Sequence, residues 1–195
     1  MLTLDTLHQQ ILACRLCADK FGFEPQPVVW GNAQAKIFQI SQAPSLSVHK
    51  SGKPFDDASG RKLIHDWYGI TPEQFYNKNN FYISAIAHCY PGKTPKGGDR
   101  KPPLSCARKW LEEEMELVEN KLYIIIGSVA AKYFFPGTKF DDLVFLQELK
   151  LNDKPAIVLP HPSPANRFWF NRHPEFENVT LKDLTRKIKD LINKT

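Results

Sequence analysis

The sequence predicts an α/β fold, a three-layer α/β/α sandwich around a central, mainly parallel four-stranded sheet. Three observations carry this expectation. Four short runs rich in β-branched and aromatic residues are apolar at consecutive positions rather than at alternate ones, as in strands covered on both faces. Helical patterns alternate with these runs, the order that builds parallel sheets. Long Gly- and Pro-rich connections follow the first two runs, at the strand ends where open parallel sheets bind ligands.

In chain order, a helix is expected over 4–15, then a strand over 36–42 (KIFQISQ). The connection 43–59 leads to a helix over 59–67 and a strand over 81–87 (FYISAIA). A second long connection, 90–104, precedes a helix over 105–118 and the strand 122–127 (LYIIIG). A helix over 128–134, a last strand over 156–160 (AIVLP) and a closing helix over 181–192 complete the order.

The 195 residues suit a single domain spanning 1–195, and the 42% hydrophobic content with 13 Phe supplies one sizeable core. No apolar stretch approaches the ~20 residues of a membrane span, and residues 1–10 lack the pattern of a secretory signal. A cytoplasmic protein, acting as a monomer and away from membranes, is therefore expected. The net charge of +5 suits a polyanion partner. Positive charge gathers over 93–101 (KTPKGGDRK) and over 182–194, while the acidic run 112–119 (EEEMELVE) reads as the solvated face of a helix.

Four cysteines occur, Cys14, Cys17, Cys89 and Cys106. In a cytosolic chain, clustered cysteines point to metal binding or catalysis before disulfides. The C-x2-C spacing of Cys14 and Cys17 lets two thiolates reach one ion, and the other two complete a four-sulfur site. Composition does not separate zinc from iron–sulfur.

Two motifs sit at predicted strand ends. The first runs Ser41-Gln42-Ala43-Pro44-Ser45, then Gly52-Lys53-Pro54-Phe55 and Ser59-Gly60; the second is His161-Pro162-Ser163-Pro164. Together with the four cysteines they resemble the uracil-DNA glycosylase superfamily, in particular its iron–sulfur branch, over nearly the whole chain. The resemblance implies a structural [4Fe–4S] cluster on Cys14, Cys17, Cys89 and Cys106, with zinc as the alternative. It implies DNA as partner and a monofunctional repair glycosylase that hydrolyses the N-glycosidic bond of a deaminated base, uracil first.

The implied roles follow. His161 donates to the base O2 as negative charge builds on the leaving pyrimidine, and Phe55 stacks on the extruded base. The turn at Ala43 and Pro44 brings backbone close to the flipped nucleotide. Ser163 contacts flanking phosphates, and Asn166 and Arg167 lie where the family fills the gap left by that nucleotide. Lys93, Lys96, Arg100 and Lys101 are expected to grip phosphates without reading sequence.

The pattern departs from the family at three positions. Gln42 and Ala43 replace residues that include the family's water-positioning carboxylate or amide. Gln42 can orient a water but cannot be a general base, so Asp57 becomes the candidate to hold the water and offset charge on the sugar. A helix N-cap is the competing role for Asp57. Ala85 stands where uracil-selective members carry an Asn, which opens the site to deaminated purines such as hypoxanthine; His88 is expected on the opposite strand face. Two other functions compete: a catalytically weak binder of lesions or single strands, and a zinc-stabilised nucleotide-binding protein.

Overall fold

The structure is a computed structural model describing residues 2–193. Met1, Lys194 and Thr195, which end the stretches 1–10 and 182–194 and the domain 1–195, lie outside the described residues.

Strands β1 (Ile37–Ser41), β2 (Phe81–Ala85) and β3 (Leu122–Ile126) are buried along their whole length, as their unbroken apolar runs require. They form the parallel heart of a sheet with β4 (Lys150–Leu151) and β5 (Lys154–Leu159), in the order β2-β1-β3-β5-β4. β1 pairs with β2 on one side and β3 on the other, both parallel, and β3 pairs in parallel with β5. The strand order therefore reverses at β1, which opens a crevice at the carboxyl ends of the strands.

The sheet has five strands rather than the expected four. The addition is β4, which pairs antiparallel with β5 across Asn152 and Asp153. Both turn residues have left-handed φ, 49° and 59°, as a two-residue hairpin demands. Two strand residues are too few to leave a periodic signal.

Helices flank the sheet near their expected positions. The first ends at Leu12, not residue 15, and buries Leu4, Leu7 and Ile11 on one stripe. The helix before β3 runs continuously from Leu104 to Leu117 with a wide π turn in its middle. The last helix starts at Glu177, earlier than expected, because a π turn at Glu177–Leu181 joins it and buries Thr180 and Leu181. Among the described residues five short α-helices lie in segments that carried no helical expectation: Ala18–Phe21, Leu46–Ser51, Pro72–Tyr76, Phe140–Phe145 and Arg167–Arg172. Capping forms two of them, with the Ser45 and Thr71 hydroxyls accepting from the amides of Val48 and Gln74. Among the described residues no helix is long and apolar enough to cross a membrane.

Candidate active site

The connections leaving β1, β2 and β5 enclose a cavity of about 440 Å³. Gln42, Ala43, Pro44, Phe55, Asp57, His161, Ser163 and Asn166 all line it, so the two motifs meet although over a hundred residues of sequence separate them. Arg167 is not among the lining residues. It is exposed, with its guanidinium 5.5 Å from the centre of the Phe168 ring, and Phe168 itself is 71% exposed.

His161 follows β5 after the single residue Pro160. The Ser163 backbone N–H donates to His161 Nδ1 at 3.2 Å, and Asn166 Nδ2 donates to the His161 carbonyl at 2.7 Å. A ring nitrogen that accepts from an amide carries no proton, so the imidazole is neutral with its hydrogen on Nε2. Burial also holds the ring's pKa below its ordinary value, against the opposing pull of Asp57 and Asp99. The Ser163 hydroxyl accepts from the Ala165 amide at 3.3 Å and fixes the turn.

Asp57 does two things at once. Its Oδ1 accepts from the Gly60 amide at 2.9 Å, capping the helix at Ala58–Arg61, while its Oδ2 accepts from the Ser45 hydroxyl at 3.1 Å. Cap and cavity wall are therefore the same carboxylate, and it locks the 41–45 turn to the 52–60 loop. Asp56, its neighbour, is exposed.

Phe55 is half-buried with a left-handed φ of 57°, a conformation costly for a bulky residue. Neighbours on both sides enforce it. The Tyr76 hydroxyl donates to the Pro54 carbonyl at 3.0 Å, and Phe55 meets Phe75 edge-on at 6.2 Å. At Gly60 a Cβ would lie 1.7 Å from the Phe55 carbonyl oxygen, so only glycine fits beneath this loop.

The far wall holds a buried network that the sequence did not reveal. Glu114, within the acidic run expected to face solvent, is completely buried. Its Oε1 accepts from the Tyr82 hydroxyl at 2.7 Å and lies 3.0 Å from His88 Nε2; its Oε2 accepts from the Ser84 hydroxyl at 2.6 Å. His8 Nε2 reaches the Tyr82 hydroxyl at 2.7 Å, tying the first helix to the same carboxylate. Burial disfavours charge on both His88 and Glu114, yet their mutual attraction prevails, raising the His88 pKa and lowering that of Glu114. His88 and Ser84 both line the cavity, which corrects the expectation that His88 faces away. β2 ends at Ala85, so strand alternation no longer governs residue 88. One glutamate in a run of acidic residues gives no sign of burial; only its place on the inward stripe of the helix decides it.

The four cysteines are all unpaired and half-buried. Burial pushes the Cys89 thiol up to about 12, and the proximity of Cys106, Cys14 and Cys17 adds to the shift. Among the described residues no three His, Cys, Asp or Glu side chains close around a single metal ion. His88 Nδ1 lies 3.6 Å from Cys106 Sγ, so the thiol cluster abuts the network behind the cavity. In the 90–104 loop, Arg100 turns inward towards the carbonyls of Lys20 and Phe21, and Lys93 pairs with Asp99 at 2.8 Å. Lys96 and Lys101 are exposed.

A doubly wound sheet thus carries at its strand ends a cavity walled by an aromatic, a carboxylate and a neutral histidine, the layout of an α/β protein that binds its ligand at the strand ends. The profile of the uracil DNA glycosylase superfamily matches residues 28–185, and the chain belongs to that superfamily. It is similar to a type-4 uracil-DNA glycosylase of Sulfurisphaera tokodaii, 22% identical over 97% of this chain and 84% of the relative. The corresponding enzyme of Thermotoga maritima is 23% identical over 98% of this chain and 95% of its own length. A third, from Archaeoglobus fulgidus, is 25% identical over 69% of this chain and 65% of the relative.

Proposed function

We propose that this chain is a monofunctional DNA-repair glycosylase that hydrolyses the N-glycosidic bond of uracil in DNA. The observation that carries the reading is the neutral His161, whose free Nε2–H is a donor in the same cavity as Phe55 and Asp57. Cleavage leaves an oxocarbenium-like sugar and an anionic base. The Nε2–H bonds to the base O2 as charge develops there, an interaction stronger in the transition state than in the ground state. The Phe55 ring stacks on the extruded base. The Asp57 carboxylate, already oriented by Gly60 and Ser45, offsets the sugar's positive charge and holds the attacking water, with Gln42 as a second polar group beside it. Ala43 and Pro44 bring backbone close to the nucleotide. Arg167 and the exposed Phe168, just beyond the cavity wall at Asn166, occupy the duplex gap that the flipped nucleotide leaves.

Cys14, Cys17, Cys89 and Cys106 are four free, partly buried thiols, the donor chemistry that a [4Fe–4S] cluster takes, and that cluster is the group the resemblance implies. When bound there it would serve structurally, its thiolate ligands tying the N-terminal segment to the segments on either side of the 90–104 loop. Zinc is the alternative occupant. Anaerobically purified protein is expected to be brown with stoichiometric iron and sulfide, and a colourless protein with stoichiometric zinc would exclude the cluster.

A second reading, binding of lesions without cleavage, draws on the engagement of both Asp57 oxygens in structural bonds and on Gln42 and Ala43 in place of a carboxylate. One assay separates the two. Purified protein is incubated with oligonucleotides bearing uracil, hypoxanthine or xanthine, and alkali-labile abasic sites are measured. Excision of uracil supports the glycosylase; binding with no abasic product on any lesion supports the second reading.

A further inference from the structure

A second carboxylate lines the cavity beside His161 and Asp57: Asp99, carried on the 90–104 loop. We infer that Asp99 takes the proton of the attacking water as the N-glycosidic bond of the flipped nucleotide breaks. This rests on the glycosylase reading above and adds a further catalytic group to it.

Among the lining residues Val28, Ile83 and Ala85 are buried whereas Asp99 is exposed, so its carboxylate stands at the rim. A nucleotide that enters base first leaves its sugar at the rim, because the sugar stays joined to the strand outside. Water reaches the sugar from the same side. The Asp99 charge is felt at the His161 ring, as is that of Asp57, so both carboxylates stand within electrostatic reach of the donor that holds the leaving base. The two differ in what they are free to do. Each oxygen of Asp57 already accepts from the protein, and a proton placed on either would weaken the lock between the 41–45 turn and the 52–60 loop. Asp99 Oδ1 accepts from Lys93 Nζ at 2.8 Å, while its Oδ2 has no protein partner among the described residues. The backbone holds it in place. Lys93 and Asp99 form an antiparallel bridge, the Thr94 amide donates to the Gly98 carbonyl at 2.7 Å, and the Arg100 amide donates to the Gly92 carbonyl at 2.9 Å. As the bond from C1′ to the base breaks, its electron pair leaves with the base towards the His161 Nε2–H. The water oxygen bonds to C1′, and one of its protons passes to Asp99 Oδ2. Asp99 then gives that proton to solvent, and the released base anion takes one from solvent, leaving an abasic sugar with a C1′ hydroxyl.

The test separates binding from cleavage. Uracil excision from an oligonucleotide is followed in single turnover at saturating protein, DNA affinity is measured separately, and a thermal melt verifies folding. The Asp99 side chain is 45% exposed, so Asp99→Asn and Asp99→Ala should fold as the wild type does. Each is expected to slow excision about 10²-fold, the lower end of what a positioned acid–base group supplies, with DNA bound no more weakly. In Asp99→Ala, added formate takes the vacated place and should raise the rate severalfold while leaving the wild type unchanged. Folded variants that excise uracil at the wild-type rate overturn the inference and leave the glycosylase reading intact; Asp99 would then only restrain Lys93. A slowing that formate does not relieve assigns Asp99 to charge balance alone and also overturns it. A wild type that excises no base overturns the glycosylase reading itself, on which the inference rests.

Discussion

At the scale of single residues, His161 and Asp57 make separable predictions. His161→Ala should lower the single-turnover rate by about 10²- to 10³-fold, the usual cost of one lost transition-state donor. DNA affinity should barely change, because that bond strengthens only as charge develops. The pH profile carries the sign. Burial holds the folded-state pKa of His161 below the ordinary ~6.5 of an exposed ring. The folded protein therefore takes up this proton less readily than the unfolded chain. Its contribution to stability is present above the unfolded pKa and declines as the pH falls through the window between the two values. Excision should stay level as the pH is lowered through 6.5 and fall only in more acidic buffer. A rate that already drops at the ordinary histidine pKa would mean that the ring is not shielded. Asp57→Asn keeps an oxygen for the Gly60 amide, and Asn caps helices about as well as Asp. The melting temperature should therefore hold while excision falls about 10²-fold; an unchanged rate would reduce Asp57 to its capping role.

At the scale of elements, the N-terminal segment and the 90–104 loop depend on each other. Phe23 stacks on Phe21 at 5.7 Å and lies 5.9 Å from Tyr90, and Arg100 reaches back to the carbonyls of Lys20 and Phe21. The helix at Ala18–Phe21 is only 4 residues long and cannot hold itself together. If the four cysteines hold the proposed cluster, removing it by chelation under oxidising conditions should therefore loosen these two segments first. Limited trypsin digestion is expected to cut at Arg15, Lys20, Lys93 and Lys96 while the buried sheet stays protected in hydrogen exchange. Uniform protection with and without metal would show that packing alone holds the segments.

At the scale of the whole molecule, the net charge of +5 becomes a surface only where side chains are free to meet phosphates. Of the four basic residues in the 90–104 loop, Lys93 is paired with Asp99 and Arg100 is turned inward, so the exposed Lys96 and Lys101 are the two expected to meet phosphates. Log affinity for DNA should fall linearly with log salt, and neutralising Lys96 and Lys101 together should reduce the slope by about two. Neutralising Lys93 should change it less. Equal slopes for all variants, measured by fluorescence anisotropy, would place the DNA surface elsewhere.

By itself the sequence determined the fold class, the parallel strands and the candidate residues of both motifs. These signals are local: an unbroken apolar run, a Pro-containing turn and a His-Pro-Ser-Pro strand end each act through their immediate neighbours. The tertiary structure alone decided the rest. It buried Glu114, brought His88 and Ser84 into the cavity wall and turned Arg100 inward. It also gave Asp57 a cap and a cavity wall to serve at once, and formed β4 from two residues. Each of these depends on what lies opposite a side chain across a fold boundary. Spacing along the chain does not encode that, because desolvation and hydrogen-bond partners are set only when distant elements pack.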